Sequence, residues 1–280
     1  MAKIAVIGGG TMGLDVAHCF ARSGFETYVL STSQTSIENH KAKLTASLDK
    51  LEAKGKIDAE MKAETMSNLH FTTEIQEVSD AGLILEAVPE NEDIKKELFA
   101  RLDELCPPDT IFASNTSTIP ITKLASCVKR SDKVVGMHFF NPATVMKLVE
   151  VIRAEQTSQE TFDAVFELAK AMGKEPVEVK DSPGFVVNKI LIPMINEAAD
   201  LVYAGVASPE DVDKAMQLGA AHPMGPLALG DLIGLDVCLA IMDTLYSETQ
   251  NAKYEASPLL KQMVSEGKLG RKTGQGFFKY

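Results

Sequence analysis

At 280 residues, with 45% apolar and 24% charged side chains, the chain has material for a sizeable core and about two domains. Its formal net charge of -11 argues against a general affinity for nucleic acid or for an anionic membrane surface, either of which needs a basic face. No apolar run reaches the length of a membrane span, and the opening stretch lacks a basic segment leading into an apolar core, so an untargeted cytoplasmic protein is expected.

The run Lys3 to Ile7 is β-branched and ends abruptly in Gly8-Gly9-Gly10-Thr11-Met12-Gly13, after which Val16, Cys19, Phe20 and Ser23 recur at helical steps up to Gly24. Strand, glycine turn and helix in that order form a dinucleotide fingerprint. Gly8 permits the tight turn, Gly10 lets the backbone approach a pyrophosphate, Gly13 lets helix and strand pack, and the N–H groups around Thr11 and Met12 face the phosphates. A second strand, Glu26 to Leu30, closes on Ser31-Thr32-Ser33-Gln34, where an NAD-selective site has an Asp or Glu for the ribose hydroxyls. With neither that acid nor a nearby Arg, the choice between NAD and NADP stays open.

From Ser36 to Met66 the pattern is helical and broken at Gly55, which predicts a two-helix hairpin inserted into an otherwise plain doubly wound domain. Lys50, Lys54 and Lys56 gather at the break, either to meet a phosphate of a large anionic ligand or simply as a solvated face. Strands follow at Leu69 to Thr73, Gly82 to Val88 and Thr110 to Ser114, with a helix opening at Pro89-Glu90 and stopped by Pro107-Pro108. Glu90 and Ser117 fall in loops at the carboxyl ends of parallel strands, where each serves as a ligand contact or as a helix cap.

His138 sits in a strand-like run, and Glu150 lies as far beyond Thr144 as His138 lies before it, with the turn-favouring Asn141-Pro142 between them. If the flanking runs pair as antiparallel strands, the two side chains face each other across the ladder. A carboxylate on one ring nitrogen leaves the other to move a proton near neutral pH; a core histidine with a structural partner has the same pattern. Ser158 to Met172 then reads as a helix and Pro176 to Val179 as a last strand, and from Phe185 to Leu260 the chain is helical with interruptions at Pro193 and at His222 to Pro226. The fold class is therefore α/β, a Rossmann-type doubly wound sheet in residues 1–183 with a helical arm near 36–66, plus an all-helical domain in 184–280. The four cysteines form neither a CxxC nor a paired spacing, so no metal is expected.

Several stretches carry a resemblance to a known family: Gly8 to Gly13, Glu86-Ala87-Val88-Pro89-Glu90, Ala113 to Ser117, Gly136 to Pro142, Asp181 to Asn188 and Gly270 to Phe277. Over nearly its whole length the chain resembles the 3-hydroxyacyl-CoA dehydrogenases, in particular the free-standing 3-hydroxybutyryl-CoA group. The resemblance implies reversible NAD(P)-dependent oxidation of (S)-3-hydroxybutyryl-CoA to acetoacetyl-CoA. It makes His138 the general base, Glu150 its orienting partner, and Ser117 and Asn188 the holders of the substrate's oxygens. It further implies cofactor contacts at Ser31, Glu90, Lys95, Asn115, Ser117 and Asn141 besides the glycine loop, and CoA contacts at Lys50 and Lys54. NAD is the family's usual cofactor, Ser31 in place of Asp being the departure, and a homodimer through the C-terminal domain is expected. Two other readings compete: a dinucleotide-binding protein without catalysis, and a 3-hydroxyacid dehydrogenase on a free acid, whose catalysis leans on a Lys near Asn188.

Overall fold

Short apolar runs, most of them followed by a helical segment, fold in a computed structural model of the protein, which describes residues 3–280, into the strands of one sheet. The first unit, ending at Asp181, contains β1 (Lys3–Ile7), α1 (Thr11–Arg22), β2 (Glu26–Leu30), α2 (Gln34–Ala53), α3 (Ala59–Ser67), β3 (Leu69–Thr72), β4 (Leu83–Glu86), α4 (Glu92–Leu105), β5 (Ile111–Ser114), α5 (Ile121–Ala125), β6 (Val134–Phe139), β7 (Leu148–Arg153), α6 (Gln159–Ala171) and β8 (Glu175–Lys180). The sheet runs in the order β3-β2-β1-β4-β5-β6-β7-β8. Strands β1 to β6 are mutually parallel, β7 is antiparallel to β6, and β8 is parallel to β7.

The registers place the site. Ile7 pairs with Leu30 and with Glu86, Glu86 with Ser114, and Ser114 with Gly136, so the strands end together along one edge. Chain order reverses between β1 and β4 at that edge, which is where doubly wound sheets bind ligands. The central strands β4 and β5 are wholly buried, as strands covered on both faces must be.

The inserted helical pair forms as expected, with Ser33 capping α2 through Ser36 N and Asp58 capping α3 through Met61 N. It is anchored rather than free: Leu44, Leu48 and Ile57 join the core cluster of β1, β4 and α1. Two boundaries differ from the sequence reading. Helix α4 begins at Glu92 because the Asn91 side chain takes the Ile94 N–H, which leaves Glu90 outside the helix.

Pro193 does not interrupt the second unit's first helix. That unit, Ser182 to Tyr280, holds α7 (Val187–Tyr203), α8 (Pro209–Gly219), α9 (Pro226–Ile233), α10 (Leu235–Thr249) and α11 (Pro258–Ser265). Helix α7 runs through Pro193 because Ile192 and Ile195 are buried with Leu235, Cys238, Met242, Leu245 and Leu260, and such packing outweighs one lost backbone bond. The C-terminal motif is structural: Asp231 accepts the N–H groups of Phe277 and Phe278 at 3.0 and 2.9 Å, and a Cβ at Gly276 would lie 1.8 Å from its carboxylate. Among the described residues no helix is long and apolar enough to cross a membrane.

One buried group in α1 makes stability depend on pH. Neither ring nitrogen of His18 has a hydrogen-bond partner among the described residues, and burial, then the charges of Arg22 and Lys174, pull its pKa from 6.5 to about 4. The unfolded chain therefore takes up this proton first, so stability is complete above about pH 6.5 and falls as pH drops towards 4, by on the order of 3 kcal/mol. His18→Leu is expected to flatten this acid limb in urea unfolding measured from pH 7 to 4.5; an unchanged limb would show that His18 is not the group that titrates.

Candidate active site

The glycine loop fits a dinucleotide's phosphates on steric grounds. Gly8 has φ of 108°, and a Cβ there would stand 2.6 Å from Ala87 O; one on Gly13 would stand 1.9 Å from Gly8 O. A Cβ on Gly10 would meet nothing within 4 Å, so the backbone is open to approach on that side. Gly10 caps α1 without a side chain, so no side-chain cap competes for the N–H groups of Thr11, Met12 and Gly13.

Beside this loop lies a buried charge cluster. Glu86, the one carboxylate in an apolar strand, accepts from Lys95 Nζ at 2.7 Å, Ser114 Oγ at 2.6 Å and Val88 N at 2.7 Å. Burial raises its pKa, with the Lys95 charge opposing. Lys95 is only 1% exposed and also meets Glu90 at 3.1 Å. Glu90 in turn accepts from Ser117 N at 2.9 Å and from Thr118 N and Oγ1 at 3.0 Å, with Thr116 Oγ1 on the same oxygen. Burial pushes its carboxyl upward, but Lys95, Thr116 and the Ser117 N–H together hold it below the usual range. The ionised carboxylate thus fixes the turn that carries Ser117.

The antiparallel pair β6 and β7 aligns His138 with Glu150. His138 Nδ1 lies 2.7 Å from Glu150 Oε2, and its Nε2 lies 3.1 Å from Ser117 Oγ. Both are sealed in, at 3% and 0% exposure. An ionised carboxylate only accepts, so the ring proton belongs on Nδ1 and Nε2 is the basic nitrogen turned towards Ser117. Asn115 Oδ1 accepts from Phe139 N at 2.8 Å, tying the end of β6 to the end of β5. The β6–β7 connection is pinned too: Asp15 accepts Ala143 N at 3.2 Å, and Lys174 donates to the carbonyls of Ala143 and, at 2.9 Å, Met146.

This arrangement, a phosphate-ready loop on the same sheet edge as a carboxylate-backed imidazole, agrees with the comparisons. The family model described as "3-hydroxyacyl-CoA dehydrogenase, NAD binding domain" matches residues 3–182, and the one described as "3-hydroxyacyl-CoA dehydrogenase, C-terminal domain" matches residues 184–280. The chain belongs to the 3-hydroxyacyl-CoA dehydrogenase family. It is 55% identical to a 3-hydroxybutyryl-CoA dehydrogenase of Clostridioides difficile over 99% of both chains, and 43% identical to the human mitochondrial hydroxyacyl-coenzyme A dehydrogenase over 99% of this chain and 90% of that one. The crystal structure of (S)-3-hydroxybutyryl-CoA dehydrogenase PaaH1 from Ralstonia eutropha superposes with a TM-score of 0.97 at 44% identity, covering 100% of this chain and 99% of that one. The family is one of oxidoreductases, and an NAD(P)-type dinucleotide is its cofactor.

Of the residues singled out for this dehydrogenase, Gly8 to Gly13, Ser31, Glu90, Asn115, Ser117 and His138 lie at or just beyond the carboxyl edge of the sheet, with Glu150 paired to His138. The Lys95 ammonium is taken up by Glu86 and Glu90, so it supports the site through Glu90. Asn141 is exposed in the β6–β7 connection. Lys50 and Lys54 are exposed near the far end of α2, about 25 Å along the helix from its start beside Ser31. Asn188 is half-buried in the first turn of α7 in the second unit, and the Nζ of neighbouring Lys189 donates to Ser182 Oγ at 2.7 Å.

Sequence reasoning missed Glu86, Asp15 and Lys174. A lone acid in a buried strand is a signal for Glu86; the other two are connected to the hairpin only by the fold. Removing one member of a buried pair leaves an uncompensated charge, so Lys95→Met is expected to cost about 3–5 kcal/mol in urea unfolding at pH 7. Lys96→Met, which breaks only the surface contact with Glu92, is expected to change the midpoint little. Equal effects from the two would contradict the role assigned to Glu86 and Glu90.

Proposed function

We propose that His138 is the proton acceptor when (S)-3-hydroxybutyryl-CoA is oxidised to acetoacetyl-CoA, and the donor, as imidazolium, in the reverse direction. The observation that carries this is the line from Glu150 Oε2 through the imidazole to Ser117 Oγ, at 2.7 and 3.1 Å. The buried carboxylate stabilises the positive ring that forms when Nε2 takes the hydroxyl proton. Ser117 then holds the reacting oxygen next to Nε2, with Asn188 as a second holder, as the family's pattern implies. A bound nicotinamide supplies the hydride acceptor. Glu90, backed by Lys95, and Asn115 orient the turns that would face the nicotinamide ribose, and Asn141 stands at the rim of the same hairpin.

Lys50 and Lys54, exposed on α2, suit the phosphates at the nucleotide end of CoA. The second unit exposes Ile190, Tyr203, Val206 and Leu218, which supports its burying apolar surface in a homodimer. The acidic net charge supports an enzyme without a nucleic-acid partner, and a cytoplasmic location belongs to this proposal.

His138→Gln is expected to lower kcat about a thousandfold while NADH or NADPH still binds, measured by initial rates and by the fluorescence of the bound cofactor. A variant with near-normal turnover would remove His138 as the base. Acetoacetyl-CoA is expected to be reduced far faster than free acetoacetate at equal concentration, since the CoA moiety supplies binding remote from the reacting carbon. Matching rates on the two would assign the enzyme to free acids instead.

A further inference from the structure

We propose that this enzyme takes, in preference, a dinucleotide that bears a phosphate on its adenosine 2′-oxygen, and that His40, Ser31 and the hydroxyls opening α2 receive that phosphate. This rests on the dinucleotide reading above and deepens it by committing the adenosine end.

In a doubly wound sheet the residue that closes the second strand faces the adenosine ribose, and an acid there binds the ribose hydroxyls and repels a 2′-phosphate. The position is held here by Ser31, buried and fixed by its N–H on Thr72 O at 2.8 Å. Its hydroxyl lies 3.0 Å from His40 Nδ1. Thr32, Ser33 and Ser36 add hydroxyls around the first turn of α2, with Ser33 and Ser36 2.9 Å apart. His40 stands four residues after Ser36, so the two share a helix face. Lys43 follows on that side, near enough that, after burial, its charge is the next cause of a lowered His40 pKa. Among the described residues no carboxylate hydrogen-bonds to Ser31, Thr32, Ser33, Ser36 or His40.

Gly9 ties this cluster to the phosphate loop. The fingerprint leaves its middle position unrestricted, yet a Cβ there would lie 2.1 Å from His40 Cε1. The imidazole therefore packs on the loop that faces the pyrophosphate while bonding the residue that faces the ribose. Between a bare diol and a phosphate, such surroundings favour the phosphate. The diol has lost its bidentate acceptor, whereas an anion gains hydroxyl donors, an imidazole, a nearby ammonium and the start of a long helix.

Isothermal titration of the intact protein with adenosine 2′,5′-bisphosphate and with adenosine 5′-monophosphate tests this without turnover. NADPH and NADH are titrated in parallel by their own fluorescence, free of tryptophan background because the chain has none. The bisphosphate is expected to bind roughly tenfold or more tightly than the monophosphate. His40→Gln should remove most of that ratio, and Ser31→Asp should reverse it. A wild-type ratio of one or below overturns the proposal, and if acetoacetyl-CoA is still reduced with NADH, the dehydrogenase reading stands alone. An unchanged ratio in His40→Gln overturns the part given to His40. Failure of the wild type to bind either nucleotide overturns both readings.

Discussion

The register between β6 and β7 is the constraint on which the site depends. A shift of one residue would turn His138 and Glu150 to opposite faces of the sheet. Because Glu150 is wholly buried, its charge must be met inside the protein, and the imidazole 2.7 Å away meets it. Gly136 helps to set the register: a Cβ there would stand 2.7 Å from Ile152 and 2.9 Å from Ile121, so no other residue lets β6 sit between β7 and α5 at this spacing. Further out, Asp15 and Lys174 hold the connection by its backbone, so neither strand can slide without breaking those bonds. The pair is thus fixed from below by packing and from above by charge.

A second set of buried charges does the same for the opposing wall. Glu86 is kept in the sheet by Lys95 and Ser114, and Lys95 brings in Glu90, which gathers the N–H groups of Ser117 and Thr118. The turn after β5 is therefore tied to β6 twice, by Ser117 to His138 and by Asn115 to Phe139 N. Catalytic groups held within a few tenths of an ångström have this kind of support, because displacement at the reacting atoms is costly in rate. The charged residues of the cluster act through position, and Ser117 and His138 turn polar atoms to each other at 3.1 Å.

What could be read in the chain follows from how local each signal is. The strand, glycine turn and helix of residues 3–22 are contiguous, and the His138–Glu150 pairing follows from equal spacing about Thr144 once a hairpin is assumed. Lys95, Lys174 and Asp15 carry no such signal, since their partners lie on other elements and their charges look like ordinary surface residues in sequence. Pro89 points to a helix opening there, whereas the cap that decides the start of α4 is the Asn91 side chain. At Pro193 the local rule is sound, and long-range packing of Ile192 and Ile195 overrides it. The Ser31 departure was visible, but its meaning depended on His40, a helix residue whose contact with Gly9 only the folded chain reveals.

That separation has a physical consequence for the division of labour along the sheet. From β2, which ends just before Ser31, to β6, which carries His138, the strand order crosses β1, β4 and β5, four spacings or about 19 Å. The groups at the two ends take different side-chain partners, His40 meeting Ser31 and His138 meeting Glu150 and Ser117. Charges exchanged at the adenosine end therefore have little reach into the proton-transfer pair, and the two sets of substitutions should combine with nearly additive free energies. A fold built this way lets cofactor choice change at the end of β2 while the imidazole, its carboxylate and the Ser117 turn stay as they are, which is how a departure at one position can coexist with an otherwise intact family site.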